Sequence, residues 1–260
     1  MKIVNGDIFF KRVYPSPNPH VQLTEITYWS EGLLVKGMLA EPIVDGNYEG
    51  ILYLRGGIQS IGMVRPARIA QFASQGFVVF APYYRGNRGG QGKDEFAGAD
   101  RYDAIAGVDV LKKYCSSQRI HLYAFSRGGI MALWTAIKRE DITSLVTWGG
   151  VSDVELTYKE RVDMRRMMKR VIGGTPSRVP ENYEARSALK HLDELTIPVL
   201  IIHGELDDHV QLSHAQLLEN ALKKQSKKVE TWYYPDLNHY FPGQLNQEVV
   251  AAALQWMKAQ

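Results

Sequence analysis

A single cysteine, Cys115, stands in a chain of 260 residues. An intramolecular disulfide and a cysteine-based zinc site are therefore both excluded, and Cys115 reads as a small apolar residue near a helix end. Net charge is scarce as well. The 31 Lys and Arg against 28 Asp and Glu leave +3, without the clustered basic footprint that nucleic acid requires. No apolar run reaches the roughly 20 residues of a membrane span. The start of the chain, MKIVNGDIFFKRVYPSPNPH, has no long apolar core of the signal-peptide kind. A cytoplasmic protein with neither a membrane nor a nucleic-acid partner is the expectation. Internal repeats, low-complexity tracts and dividing linkers are missing too, so residues 1–260 read as one domain. A chain of this length buries roughly three quarters of its unfolded surface and needs no disulfide or structural metal to do so.

Short apolar runs bounded by Gly and Pro alternate with longer segments of helical period, the pattern of a mostly parallel sheet with helices on both faces. GILYLR (50–55), GFVVFAP (76–82), RIHLYAF (119–125), SLVTWGG (144–150), IPVLIIHG (197–204) and KVETWYYP (228–235) read as strands. Most are apolar throughout, which suits strands covered on both faces. Residues 7–13, 22–29 and 32–40 read as an antiparallel edge leading into that sheet. Residues 1–22 then form an N-terminal arm. Helices are expected near 65–75, 101–114, 127–139, 154–172, 211–224 and 245–258. In the fourth, Met164, Met167, Met168 and Val171 share a face that reads as core-packed, the alternative being a Met-rich wall of a substrate pocket, with Arg165, Arg166, Lys169 and Arg170 solvated. Residues 150–195 are a small insertion near the site described next.

Tyr123-Ala124-Phe125-Ser126-Arg127-Gly128-Gly129 joins an apolar strand to a helix that starts at once. A serine on so sharp a turn is held strained and exposed, and small residues must flank it because strand and helix approach closely there. The usual pattern is GxSxG; this chain has AxSxG, and a serine here can also serve only as a helix N-cap. A serine hydroxyl is a poor nucleophile until a base accepts its proton. In an α/β-hydrolase the order is serine, acid, histidine. Glu205-Leu206-Asp207-Asp208-His209 follows one candidate strand and Asp236-Leu237-Asn238-His239 follows the last. Both lie past the C-terminal ends of strands, where ligands bind in open α/β sheets. His239 is preferred as base because it sits between the last strand and the last helix. His121, in an apolar strand, reads as a core residue and His203 as a shaper of its turn; His20, His191, His209 and His214 have no nucleophile motif beside them. Local physics alone does not separate Asp207, Asp208 and Glu205 as the acid.

The stretches Tyr84-Arg85-Gly86-Asn87-Arg88-Gly89-Gly90-Gln91-Gly92, Phe125-Ser126-Arg127-Gly128-Gly129, Ile202-His203-Gly204-Glu205-Leu206-Asp207-Asp208-His209-Val210 and Tyr234-Pro235-Asp236-Leu237-Asn238-His239-Tyr240-Phe241 resemble the catalytic domain of the prolyl oligopeptidase family of serine peptidases, including its dipeptidyl aminopeptidase and acylaminoacyl peptidase branches. The resemblance covers roughly residues 30–260. It implies an α/β-hydrolase fold and selects Asp207 as the acid, giving Ser126, Asp207 and His239 as the catalytic set. Large members of the family carry an N-terminal propeller over the site. Here about 20–30 residues precede the hydrolase-like part, fewer than one blade, so no propeller is expected.

Acyl transfer also needs donors aimed at the developing oxyanion, each worth roughly 10²–10³ in rate. The backbone N–H of Arg127 is one candidate. The other is expected from Arg55-Gly56-Gly57-Ile58, where the resemblance leads one to look for HGG or a tyrosine; Arg55 favours a backbone donor at Gly57 or Ile58. Arg55, Arg85 and Arg88 are candidates to meet a substrate carboxylate, with ion pairing the other reading of Arg85 and Arg88. The glycine-rich stretch 86–92 is not a phosphate loop, because Asn87 and Asp94 stand where its spacing requires Gly and Ser or Thr. No metal-ligand spacing appears, and the chemistry requires no cofactor. The expected substrate is a small ester or a short peptide, cleaved through an acyl-enzyme; a homo-oligomer is compatible with this. The alternative is a hydrolase-like protein that binds without turnover, since one fold hosts many functions.

Overall fold

The computed structural model describes residues 4–260. Nine strands form one sheet: β1 (Ile8–Tyr14), β2 (Val21–Ser30), β3 (Leu33–Pro42), β4 (Glu49–Leu54), β5 (Phe77–Pro82), β6 (Ile120–Phe125), β7 (Ser144–Trp148), β8 (Val199–Gly204) and β9 (Val229–Tyr234). Their order is β1-β2-β3-β5-β4-β6-β7-β8-β9. Pairing is antiparallel from β1 as far as β5 and parallel from β5 to β9. Residues 8–14 are the edge strand expected over 7–13, in register with β2 through Lys11 opposite Ile26 and Val13 opposite Thr24.

Every residue of β5 and β8 is buried, and the period-2 alternation of side chains feeds two separate cores. On one face Leu52, Leu54 and Leu122 meet Ala104 and Val108 of α2 (Arg101–Lys112), Ile130 and Leu133 of α3 (Gly128–Lys138), and Leu218 of α7 (Leu212–Lys224). On the other, Ile51, Tyr53 and Tyr123 meet Ile69 and Phe72 of α1 (Pro66–Ala73) and Val250 and Leu254 of α8 (Gly243–Lys258). Such continuous apolar strands are stable only when both faces are covered, which explains why the helices divide between them.

Between β7 and β8 the chain forms α4 (Val154–Glu160), a 3-10 turn, α5 (Arg165–Ile172), α6 (Pro180–Glu184) and a second 3-10 turn. The single helix expected over 154–172 is broken at Arg161, whose φ of −101° and ψ of 81° lie outside the helical region. Its guanidinium bonds the Asp163 carboxylate at 2.9 and 2.7 Å and the carbonyl of His209 at 2.8 Å. The break therefore ties this segment to the loop after β8. Asp153 starts α4 by accepting the N–H of Leu156 at 2.7 Å, an N-cap that satisfies an otherwise orphan donor. Met168 is buried, and Met164, Met167 and Val171 are half-buried against the core, as their spacing indicates. No helix among the described residues is long and apolar enough to cross a membrane.

Candidate active site

Ser126 lies between β6 and α3 with φ of 57°. A non-glycine residue in this region is strained, and the strain persists only where surrounding bonds enforce it. Here the Ser126 N–H donates to the carbonyl of Trp148 at 3.1 Å, and its own carbonyl accepts from Gly129 and Val151, both at 2.9 Å. A Cβ on Gly128 would meet the Leu54 carbonyl oxygen at 2.1 Å, and one on Gly56 would lie 2.6 Å from the Ser126 Cβ. The glycines at 56 and 128 are thus what lets helix, sheet and serine close up. Ala124, the departure from the usual pattern, is fully buried in β6.

The loops after β8 and β9 bring Asp207 and His239 together. Asp207 Oδ2 lies 2.6 Å from His239 Nδ1. Its other oxygen, Oδ1, accepts the N–H groups of His209 at 2.9 Å and Val210 at 2.8 Å, so the carboxylate cannot rotate away from the imidazole. Both side chains are buried, whereas the Asp208 side chain is 83% exposed, 3.8 Å from His209. The His239 ring packs 4.7 Å from the ring of Phe125, next to the serine, and a Cβ on Gly149 would lie 3.0 Å from its Nδ1. His239 and the Ser126 hydroxyl share no hydrogen bond; such contacts are commonly long without substrate. His203 is fully buried, and that burial lowers its pKa below the ordinary histidine range. Its Nε2 lies 2.8 Å from the carbonyl of Val210 and holds the turn bearing Asp207. His121 is buried between Ser144 and Glu49 at 2.8 and 3.0 Å. His209, which has no nucleophile motif beside it, stacks on His239 with centroids 5.0 Å apart and an 18° tilt.

Among the described residues, the backbone N–H groups of Arg127, Gly57 and Ile58 donate to no protein acceptor. The loop carrying Gly57 and Ile58 is pinned from below. Arg55 is buried and donates to the carbonyls of Tyr83 at 2.9 and 3.2 Å, Gly56 at 2.9 Å and Ile61 at 3.1 Å. Asp94 accepts the N–H of Gln59 at 3.0 Å, with Arg55 at 3.5 Å and the Arg127 guanidinium at 2.5 Å. Arg127 also reaches Asp100 at 3.3 Å. Burial, opposed by Arg127 and reinforced by Asp94 and Asp103, raises the Asp100 carboxyl to about 6.

Two of the three arginines expected to meet substrate are thereby corrected. Arg55 is spent on this network, and Arg85 is buried against Asp103 at 2.8 Å; only Arg88 faces open space. Sequence reasoning missed Asp94, Asp100 and Asp103, three acids downstream of the glycine-rich stretch whose burial no periodicity announces. Among the described residues, no group of three or more His, Cys, Asp or Glu side chains is placed to hold a metal.

The chain is also similar to known proteins. A family model described as the prolyl oligopeptidase family matches residues 63–260. An uncharacterized peptidase, YtmA of Bacillus subtilis, is 56% identical over 95% of this chain and 98% of its own length. Dipeptidyl-peptidase 5 of Porphyromonas gingivalis is 28% identical over 80% of this chain, which spans 33% of that protein. The solved structure of an acylaminoacyl peptidase from Pyrococcus horikoshii superposes with a TM-score of 0.73 and 20% identity, covering 85% of this chain and 38% of its own.

Proposed function

The chain belongs to the prolyl oligopeptidase family and is a serine hydrolase of α/β-hydrolase fold, and from that premise we propose that Ser126 is its nucleophile, His239 its base and Asp207 its acid. The buried Asp207–His239 pair beside a strained serine is the observation that carries this reading. His239 takes the Ser126 proton as Oγ attacks an ester or amide carbonyl, and it returns a proton to the leaving group. Asp207 holds Nδ1 protonated, so that Nε2 remains the acceptor, and it stabilises the imidazolium that forms. The N–H groups of Arg127 and of Gly57 or Ile58 receive the oxyanion. Water then releases the acyl group by the same route in reverse.

The substrate in this reading is a small ester or a short peptide, handled by one catalytic domain working in the cytoplasm. Residues 150–195 flank its mouth. A fluorophosphonate probe tests the assignment directly: labelling should occur at Ser126 and vanish in Ser126→Ala. A folded wild-type protein that stays unlabelled overturns it. Cell fractionation checks the location. The ratio of kcat/KM for an ester and an amide sharing one acyl group decides between esterase and peptidase use.

A further inference from the structure

A cavity of about 760 Å³ adjoins the proposed catalytic loops without containing Ser126, Asp207 or His239. Gln59, Ser60 and Met63 form one wall, residues 86–88 and 92–95 in and after the glycine-rich stretch another, and Arg170 with Val171 of α5 the third. Three cations from two separate elements converge on it: Arg88, Lys93 and Arg170, all exposed. The ion pairs nearby run elsewhere, Arg127 to Asp94 and Arg161 to Asp163. None of the three cations has an acidic partner within 4 Å among the described residues. Of the two acids on the lining, Asp94 is paired in the buried network, whereas Glu95, which accepts the N–H of Ala99 at 2.8 Å, offsets one of the three cations and leaves the other two in excess. The cavity therefore presents net positive charge, and a recess lined mainly by one sign focuses such a field over that of an open surface. Its first wall belongs to the same loop whose Gly56 packs against Ser126, so Gln59 at the cavity stands three residues along the chain from the glycine at the nucleophile.

We infer that this cavity receives the anionic end of the substrate, so that the hydrolase favours esters or amides bearing a carboxylate. The inference rests on the proposed catalytic assignment for its direction, since only a substrate anchored at Ser126 needs this neighbour. Guanidinium forks match a carboxylate with two parallel hydrogen bonds, and Arg88 and Arg170 supply two such forks. A carboxylate reaches the cavity either from an acidic acyl side chain or from a free C-terminus on the leaving side.

Two matched pairs separate those sources: N-acetyl-glutamate against N-acetyl-glutamine p-nitrophenyl esters, and an N-acetyl dipeptide with a free C-terminus against its C-terminal amide. In one pair kcat/KM should favour the acid about tenfold, the ratio should fall as salt is added, and Arg88→Gln and Arg170→Gln should each lower it about 2–5-fold. Equal or inverted preference in both pairs overturns the inference, as does a preference that survives the double variant. Turnover of the neutral member reports on hydrolysis alone, so loss of all turnover counts against the catalytic assignment and not the cavity. In that event Ser126→Ala protein is titrated calorimetrically with N-acetyl-glutamate and N-acetyl-glutamine, and with the dipeptide and its amide. Tighter binding of the acid in either pair supports the inference; equal affinity in both refutes it.

Discussion

Asp94→Ala removes the charge on which the underside of the site converges. Its carboxylate is 1% exposed and meets Arg127 at 2.5 Å, the Gln59 N–H at 3.0 Å, Asn87 at 3.2 Å and Arg55 at 3.5 Å. Without it, two buried guanidinium groups face each other with one acid between them. Breaking a buried ion pair by deleting one partner costs about 3–5 kcal/mol, because the remaining charge is left desolvated and uncompensated. Asp100 recovers part of this, being already 3.3 Å from Arg127 and freed of the like charge that helps hold its proton. The expected loss is therefore near the lower end, about 3 kcal/mol, or a fall in Tm of roughly 6–12 °C for a chain of this size. Urea denaturation followed by circular dichroism measures it through the shift in midpoint at constant slope. The fall in kcat should exceed that of Asp94→Asn, because the amide oxygen still accepts the Gln59 N–H that anchors the oxyanion loop. A loss in Asp94→Ala below about 1 kcal/mol would refute the reasoning, placing that charge among surface pairs in energetic terms.

Ser126→Ala and His239→Ala should each lower kcat by about 10⁴–10⁶ without additivity, because the residues act as one unit. Asp207→Asn should lower it strongly and Asp208→Asn little; the reverse order in steady-state assays would refute the choice of acid. Asp100 provides a pH signature. Its carboxyl is raised from 3.8 to about 6 in the fold, so between those values the folded chain holds a proton that the unfolded chain has released. The stability this contributes is complete below the lower value and is lost as pH rises through the upper one. The Tm of the wild type minus that of Asp100→Asn should accordingly fall from pH 4 to pH 7, and a rise would contradict the assignment.

Local chemistry by itself determined the nine strands and most helices, because apolar runs, glycine punctuation and helical period are short-range signals. It also set out Ser126, an acid among Glu205, Asp207 and Asp208, and His239 in an order and loop context that pointed to one reaction, and the family resemblance singled out Asp207. Tertiary structure decided what depends on partners far apart in sequence. Asp207 and Asp208 are neighbours in the chain, but only packing buries one against an imidazole 32 residues on and leaves the other in solvent. The helix expected over 154–172 is broken at Arg161, whose guanidinium bonds the carbonyl of His209, 48 residues on. Arg55 and Arg85 have the composition of substrate ligands, yet both are buried against acids that lie 39 and 18 residues downstream. A buried charge must find a counter-charge to offset its desolvation, and which one it finds is settled by the meeting of loops that no local pattern encodes.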